Sequence, residues 1–323
     1  MAAPTKGNTM KKTIISLSFI YLLSTVLFAE SETSGKVFFN HSIDLTEGGM
    51  NAFNIKRAYL TLANDISESV FYKVTYDMGS NDGGSAHIAF LKVAMVKLKT
   101  NFGDVFLGMQ GMNMFKTMEN TWGHRFIAKM PMDAYKYSAS ADLGIGLGRS
   151  FGPVSTSALI TNGGGYKKAE TDFHKKLSIH AVYGESKLNK KDGFNGGLSF
   201  STEPYDKDSL NTENTYVSGI FAGYASNGFR GGYEFDTKTQ EDVSGQIISA
   251  YGTYKINDKL SVLARLDKAD PNKSKDGDEV RAIIAGVHYS AAKGLTIAPT
   301  VRVKAQEEGD SKNSIVLNFK FKF

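Results

Sequence analysis

From about residue 35 to the end of the chain, apolar and polar side chains alternate in runs of about ten residues. Successive side chains of a β-strand point to opposite faces, so each run predicts a strand with one apolar and one polar face. No segment after residue 30 shows a convincing apolar helical period. The alternation therefore predicts an all-β fold. In the final run the two faces carry Ile315, Leu317, Phe319, Phe321 and Phe323 against Asn318, Lys320 and Lys322.

Sixteen candidate strands fit this pattern. A single strand of this kind is equally typical of a soluble sandwich, whose charged face meets water. An even number of such strands is instead typical of a transmembrane antiparallel β-barrel of the bacterial outer membrane. The candidate strands span residues 35–45, 53–63, 69–79, 87–100, 104–111, 139–150, 153–162, 174–184, 193–202, 214–225, 228–238, 244–256, 259–268, 280–290, 294–305 and 313–323.

The connections between these strands alternate in length. Short links such as residues 226–228 and 257–258 interleave with longer polar ones such as 204–213 and 271–278. Outer-membrane barrels have short periplasmic turns and longer external loops, so both chain ends are expected on the periplasmic side. Residues 185–192 are long for a periplasmic turn, and we expect any miscounted strand to lie there.

The N-terminal segment, residues 1–29, predicts a short extension followed by a secretory signal peptide. Lys11 and Lys12 form its charged region, an apolar core follows, and Ala29 is the small residue before the cleavage point. The apolar core is shorter than the roughly 20 residues that a spanning helix needs, which disfavours a membrane anchor. We therefore expect export to the periplasm and an outer-membrane barrel domain over residues 30–323.

Composition narrows the chemistry that the chain can perform. It has no cysteine, so disulfides and thiolate metal sites are excluded, and no cofactor or metal is expected. It carries 38 Lys and Arg against 33 Asp and Glu, and the predicted signal segment holds three of the basic residues. The mature net charge is then only +2, which gives no basis for nucleic-acid binding. The expected partners are outer-membrane lipid and small hydrophilic solutes.

The longest connection, residues 112–138, joins the fifth and sixth strands and is therefore the third external loop. It is rich in methionine and aromatic side chains, and exposed apolar surface of this kind seeks cover. We therefore expect the loop to fold into the lumen against the barrel wall. Its charged side chains would then form a constriction, made of Lys116, Glu119, His124, Arg125, Lys129 and Asp133.

Several segments carry a family resemblance. FNIKRAYLTL at residues 53–62 runs into VFYKV at 70–74, and LARLD at 263–267 and AGVHY at 285–289 precede a terminal phenylalanine. In this pattern the chain resembles Gram-negative outer-membrane porins, specifically the phosphate-selective porin-like group. The resemblance implies a sixteen-stranded barrel, usually a homotrimer, with the third loop folded into the lumen. It also implies that the barrel-assembly machinery recognises Phe323 during biogenesis.

Two features depart from that group. The mature chain is short for it, and the dense basic clusters that phosphate selectivity needs are missing from the sequence. The architecture is therefore expected to carry over, whereas the phosphate ligand is not.

The resemblance implies passive diffusion of small hydrophilic solutes and ions, with no enzymatic activity. An outer-membrane hydrolase would need a nucleophile or acid beside a positioned histidine, and none of the six histidines stands in a metal or triad motif. A structural or adhesive barrel is the other alternative. It predicts a filled lumen and elaborate external loops, whereas most of the expected loops are short.

Strand parity assigns side chains to the inner wall, where charge sets the ionic preference of a pore. Basic residues outnumber acidic ones in this inner set, which predicts a weak preference for anions. In the alternative interpretation the inner arginines pair with the inner carboxylates and brace the wall. The predicted pore-lining residues are Arg57, Lys73, Asp77, Lys176, Arg230, Glu234, Asp236, Arg265, Asp267 and Arg302.

Overall fold

The computed structural model describes residues 31–80 and 87–323, and these form a closed antiparallel β-barrel. Within this part of the chain there are sixteen strands and two short helices, α1 (Lys116–Trp122) and α2 (Pro131–Ala134). The predicted signal segment lies outside the described residues. The strands are β1 (Glu32–Asp44), β2 (Asn51–Asp65), β3 (Val70–Ser80), β4 (His87–Thr100), β5 (Gly103–Gly111), β6 (Ala141–Phe151), β7 (Val154–Thr161), β8 (Lys176–Gly184), β9 (Gly193–Asp206), β10 (Thr212–Ser226), β11 (Phe229–Gln240), β12 (Val243–Lys255), β13 (Leu260–Asp270), β14 (Val280–Ala292), β15 (Leu295–Gln306) and β16 (Lys312–Lys322).

Each strand pairs with its neighbours in the chain, and β1 pairs with β16 to close the barrel. At this seam Phe39 lies opposite Phe319, and their stacked rings have centroids 4.4 Å apart. The N–H of Gly35 donates to the carbonyl of Phe323 at 2.8 Å, so the last residue is held at the seam. Every predicted strand is present within a few residues of its expected ends, which confirms the predicted sixteen-stranded barrel.

The strands separate two faces as the alternation predicts. In β16, Val316 and Asn318 are buried inside the barrel, whereas Ile315 and Phe321 are exposed on its outer surface. Exposed Leu, Ile, Phe and Tyr side chains cover the outside of most strands. Because such a surface is unfavourable in water and favourable in hydrocarbon, it is typical of a barrel that spans a membrane.

The connections lie alternately at the two ends of the barrel. The turns at the end that carries the chain termini are mostly short, and the longest loops lie at the other end. Residues 185–192 form turns and no strand, so the expectation of a miscounted strand there is wrong.

Two of the long connections matter for function: residues 112–140, which we call loop 3, and residues 162–175, which we call loop 4. Both helices belong to loop 3. Gly123 caps α1 with a φ of 71°, in the left-handed region that glycine tolerates, and Pro131 begins α2. In the part of the chain that the structure describes, neither helix has the length and apolar character needed to cross a membrane.

Candidate functional site

Loop 3 and the barrel wall share a buried apolar cluster. Met114, Met118, Met130, Met132 and Trp122 are at most 1% exposed. Methionine is flexible and fills irregular gaps, which suits a loop that must fit against a curved wall. The composition that predicted a covered loop is therefore explained by this packing. The wall contributes Val217, Ile247, Tyr251 and Leu263 to the cluster.

Two arginines of the wall bind the backbone of loop 3. Arg265 Nη1 donates to the carbonyl of Lys129 at 2.6 Å, and Arg302 Nη2 donates to the carbonyl of Ile127 at 2.9 Å. Hydrogen bonds from a charged donor are about twice as strong as neutral ones. These two residues of the predicted pore-lining set point inward, and they hold loop 3 against β13 and β15.

The predicted acidic pore residues of β11 and β13 are buried. Asp267 accepts hydrogen bonds from Arg265 Nε at 2.8 Å and from Ser249 Oγ at 2.6 Å. Glu234 and Asp236 have no exposed surface, and their carboxyl oxygens have no hydrogen-bond partner among the described residues. None of these three acids lines the cavities described below.

Loop 3 also contacts β9 and the far end of the barrel. Ser199 Oγ of β9 donates to the carbonyl of Met114 at 2.5 Å. Asn120 Nδ2 donates to the carbonyl of Ser186 at 3.1 Å, and Leu188 of the same turn is only 3% exposed. Loop 3 thus touches the long turn at the opposite end of the barrel from its own ends.

Five of the six predicted constriction residues form one chain of ion pairs. Lys116 Nζ lies 2.6 Å from a Glu119 oxygen, and the Arg125 guanidinium lies 3.1 Å from Glu119 and 3.1 Å from Asp133. Lys129 Nζ completes the chain 3.1 Å from Asp133. Burial opposes the ionisation of Glu119, but Lys116 and Arg125 outweigh it and hold the pKa of Glu119 below its usual range. This series of ion pairs links α1 to α2 and fixes the position of the Arg125 guanidinium.

The sixth predicted residue, His124, lies apart from this chain and faces β11 and β12. Its Nε2 is 2.9 Å from Thr253 Oγ1 and 3.4 Å from Arg230 Nη2. Arg230 also donates to the carbonyl of Trp122 at 3.2 Å, so it is a third arginine that anchors loop 3. Burial and the nearby positive charge of Arg230 hold the pKa of His124 well below its usual range, which favours the neutral ring.

An outer cavity of about 670 Å³ lies between loop 3, loop 4 and the wall. Its charged lining is mostly basic. Lys176, from the predicted pore set, pairs with Glu203 at 2.9 Å. The basic residues of the lining are Arg57, Arg125, Lys129, Lys136, Lys167, Lys168, Lys176 and Lys238, against Asp133 and Glu203.

An inner cavity of about 480 Å³ lies between loop 3 and the wall formed by β1 to β5. Arg125 lines this cavity as well as the outer one, so the two meet at this side chain. A third cavity of about 430 Å³, at the end that carries the chain termini, is lined in part by Arg230 and His124. The charged residues of the inner cavity are Lys36, Lys73, Lys92, Lys116 and Arg125, against Glu119.

Asp77 of β3 interacts with several side chains although its own side chain has no exposed surface. Arg57 Nη1 lies 3.8 Å and Lys92 Nζ 3.4 Å from its carboxylate. The phenol of Tyr166 in loop 4 donates a hydrogen bond to the same carboxylate at 2.7 Å. The pair Arg57–Asp77, like Arg265–Asp267, fits the alternative in which inner arginines brace wall carboxylates.

Lys36, Lys92 and Tyr166 are absent from the predicted set. Strand parity places Lys92 on the outer face, and a β-bulge opposite Thr75 and Tyr76 turns it inward. The only sequence signal for Tyr166 is the glycine run at residues 163–165 directly before it. Among the described residues, no group of three His, Asp or Glu side chains could hold a metal ion.

Comparison with known proteins supports the barrel architecture. No protein-family profile matches the chain, and no curated protein matches it. OmpF of Salmonella typhi, in complex with daunomycin, has a TM-score of 0.70 at 13% identity over 91% of this chain and 97% of that chain. An anion-selective porin from Comamonas acidovorans has a TM-score of 0.70 at 12% identity over 91% and 99%.

A trimer form of the outer membrane protein OmpT of Vibrio cholerae has a TM-score of 0.64 at 12% identity, covering 91% of this chain and 99% of that chain. At these identities the similarity concerns the fold alone. The chain therefore has the closed sixteen-stranded barrel fold of Gram-negative outer-membrane porins.

Proposed function

We propose that this protein is an outer-membrane porin for the passive diffusion of small hydrophilic solutes, with a preference for anions. The observation that carries the proposal is the pair of basic cavities that meet at Arg125. Diffusion through a water-filled barrel needs no reaction, and its selectivity follows from the width of the passage and the charges along it. The porin is accordingly not an enzyme.

Loop 3 is inferred to lie in the lumen. Asn113 Nδ2 donates to the carbonyl of Ser157 on β7, and Arg302 on β15 donates to the carbonyl of Ile127. These two strands lie on opposite sides of a closed barrel of sixteen strands. A segment bonded to both strands crosses from one side of the barrel to the other, which supports a course through the interior. It then fills the side next to β7 to β15 and leaves a passage along β1 to β5.

The anion preference follows from the positions of the acidic and basic side chains relative to the passage. The buried acids Glu234, Asp236 and Asp267 are kept away from the passage, whereas lysines and arginines face it. Within loop 3, Glu119 and Asp133 are each paired with two cations. A passing ion therefore meets a net positive field. We expect the resulting anion preference to be stronger than the weak preference that strand parity alone predicts.

The remaining parts of the proposal concern assembly. The protein is exported through its signal segment, recognised at Phe323 by the barrel-assembly machinery, and inserted into outer-membrane lipid. It assembles as a homotrimer, as the family resemblance implies. The trimer form of the similar OmpT structure agrees with this state.

Planar-bilayer recording of the purified protein tests the function. We expect stable ohmic current steps and, across a KCl gradient, a reversal potential with the sign of anion preference. No steps would favour a structural or adhesive barrel, and a reversal potential with the opposite sign would contradict the charge assignment.

A lysine variant with a matched control links the selectivity to the passage. Lys92→Gln removes a cation from the inner cavity and should shift the reversal potential toward zero. Lys275→Gln removes the same charge from an exposed external loop and should leave the reversal potential unchanged. Equal shifts in the two variants would show that the passage does not run past Lys92.

A further inference from the structure

Loop 4 crosses a wide part of the barrel opening. It begins after β7, yet its Tyr166 donates a hydrogen bond to Asp77 on β3 at 2.7 Å. Three strands, β4 to β6, lie between β3 and β7 in the sheet. The loop therefore lies over the same side of the barrel as the basic passage, opposite loop 3.

Local backbone bonds fix this crossing. Gly163 N–H donates to the carboxylate of Asp142 at 2.6 Å, and Tyr166 N–H donates to the carbonyl of Ala141 at 3.0 Å. Gly163 and Gly165 have φ angles of 103° and 77°, which other residues rarely adopt. The glycine run thus turns the chain sharply over β6 and directs Tyr166 toward β3.

At the end of this crossing, Tyr166 covers Asp77. The ring is half-buried, and Lys92 Nζ lies 5.0 Å from its centroid and 5.0 Å from that of Tyr59. Burial and the adjacent carboxylate raise the pKa of Tyr166, so the phenol keeps the proton that it donates to Asp77. The carboxylate is thereby enclosed by one phenol and two cations.

The cavity linings show what this enclosure does. Arg57 and Tyr166 line the outer cavity and Lys92 lines the inner one, whereas Asp77 lines neither. The cations that pair with Asp77 are thus presented to the passage while the carboxylate is not. Without the cover, a passing cation could contact the carboxylate directly, and the attraction would be strongest at that short distance.

We propose that Tyr166 is a specificity-determining residue, which covers the Asp77 carboxylate so that passing ions contact its partners Arg57 and Lys92 but not the carboxylate itself. This inference rests on the proposed porin function and names the device that sustains its anion preference. Loop 4 is then a second pore-lining loop, and loop 3 and loop 4 together bound the passage.

Replacing the ring tests the shield. A unit charge about 5 Å from a passing ion in water changes the local ion concentration by about two- to fourfold after screening by salt. Tyr166→Ala should therefore lower the anion-to-cation permeability ratio by about that factor, and Asp77→Asn in the same background should restore it. Tyr166→Phe keeps the ring and should lower the ratio less than Tyr166→Ala.

Tyr205→Ala is the matched control, because Tyr205 lines the same outer cavity and its phenol also donates to a carboxylate, but that residue, Glu241, is already 39% exposed and is not covered by the ring. It should leave the permeability ratio unchanged. Heat-resistant migration on a gel checks that each variant has folded. An unchanged ratio in folded Tyr166→Ala, beside a conducting wild type, would overturn the shield and leave the porin function standing.

Chemical labelling tests the shield without any current. The chain has no cysteine, so Asp77→Cys introduces a single thiol. A charged methanethiosulfonate should label this thiol several-fold faster when Tyr166→Ala is also present than when Tyr166 is intact. Equal labelling rates would overturn the proposal whatever the conductance, whereas absence of current in the wild type would contradict only the porin function.

Discussion

Replacing Arg265 by methionine should release loop 3 from the barrel wall. Arg265 is 2% exposed, and its Nε donates to Asp267 at 2.8 Å while its Nη1 donates to the carbonyl of Lys129 at 2.6 Å. Its guanidinium also lies 5.6 Å from the ring of Trp122. One side chain thus neutralises a buried carboxylate and holds loop 3 at two points.

The size of the effect follows from what the variant leaves behind. Methionine has a similar length and keeps the apolar packing, but Asp267 then remains buried without a counter-ion. Breaking a buried pair in this way costs about 3–5 kcal/mol. The backbone ladder of β13 is untouched, so the loss should appear mainly as undocking of loop 3. Removing the charge of Asp267 as well, with Asp267→Asn, should recover part of it.

Urea unfolding of the detergent-folded barrel and single-channel recording measure the loss. Arg265→Met should lower the unfolding midpoint and give larger, noisier current steps. Arg281→Met is the control, because Arg281 pairs with Glu279 at 2.7 Å but its side chain is 68% exposed. An exposed pair contributes about 0–1 kcal/mol. If Arg265→Met lost no more stability than Arg281→Met, loop 3 would not depend on the buried pair.

Two further predictions rest on the structure and a third rests on the sequence. Leu317→Arg places a charge on the lipid face and should cost about 2–4 kcal/mol by urea unfolding, well above the cost of Leu317→Ala. His124 is held neutral, so the docking of loop 3 is fully present above about pH 6.5 and weakens as the pH falls through the depressed pKa of His124. Current fluctuations of the channel should therefore increase in acid, and they should increase less in His124→Gln. N-terminal sequencing of membrane-extracted protein should begin at Glu30, and a start at Met1 or Met10 would contradict the signal segment.

The strands could be predicted from the sequence because each one follows a local pattern of side chains. A barrel wall has lipid on one side, so apolar and polar side chains must alternate through every strand. This period of two can be read from consecutive residues of the sequence. The strand ends differ more, and β9 extends to Asp206, beyond the predicted end at residue 202. Strand ends depend on pairing with β10 rather than on alternation.

Strand parity predicts which wall residues point inward, but it does not predict which groups their side chains contact. Arg230, Arg265 and Arg302 point inward and bind carbonyls of loop 3. Asn318 also points inward, yet it is 1% exposed and donates to the carbonyl of Ala298 at 2.8 Å. These contacts join residues far apart in the chain, and no local pattern encodes which wall positions a loop covers.

Lys92 shows a different limit of strand parity. Parity counted from the inward lysines of β4 would place Lys92 in lipid, where a charge near the membrane midplane costs about 2–4 kcal/mol. In the structure Lys92 is skipped between the pairs Thr75–Val93 and Tyr76–Leu91, and its Nζ reaches Asp77. The bulge removes that cost by turning the side chain inward.

The bulge between β1 and β2 also skips a lysine. Arg57 pairs with Phe38 and Ile55 with Phe39, so Lys56 is left between the two pairs. An extra residue breaks the period of two, so parity counted on one side of a bulge does not hold on the other side. Lys268 of β13 also falls on the outer face by parity, yet it pairs with Ile248 and Arg281 without a bulge. An outer-face lysine therefore does not by itself mark a bulge, and the inward position of Lys92 could not be predicted from the sequence.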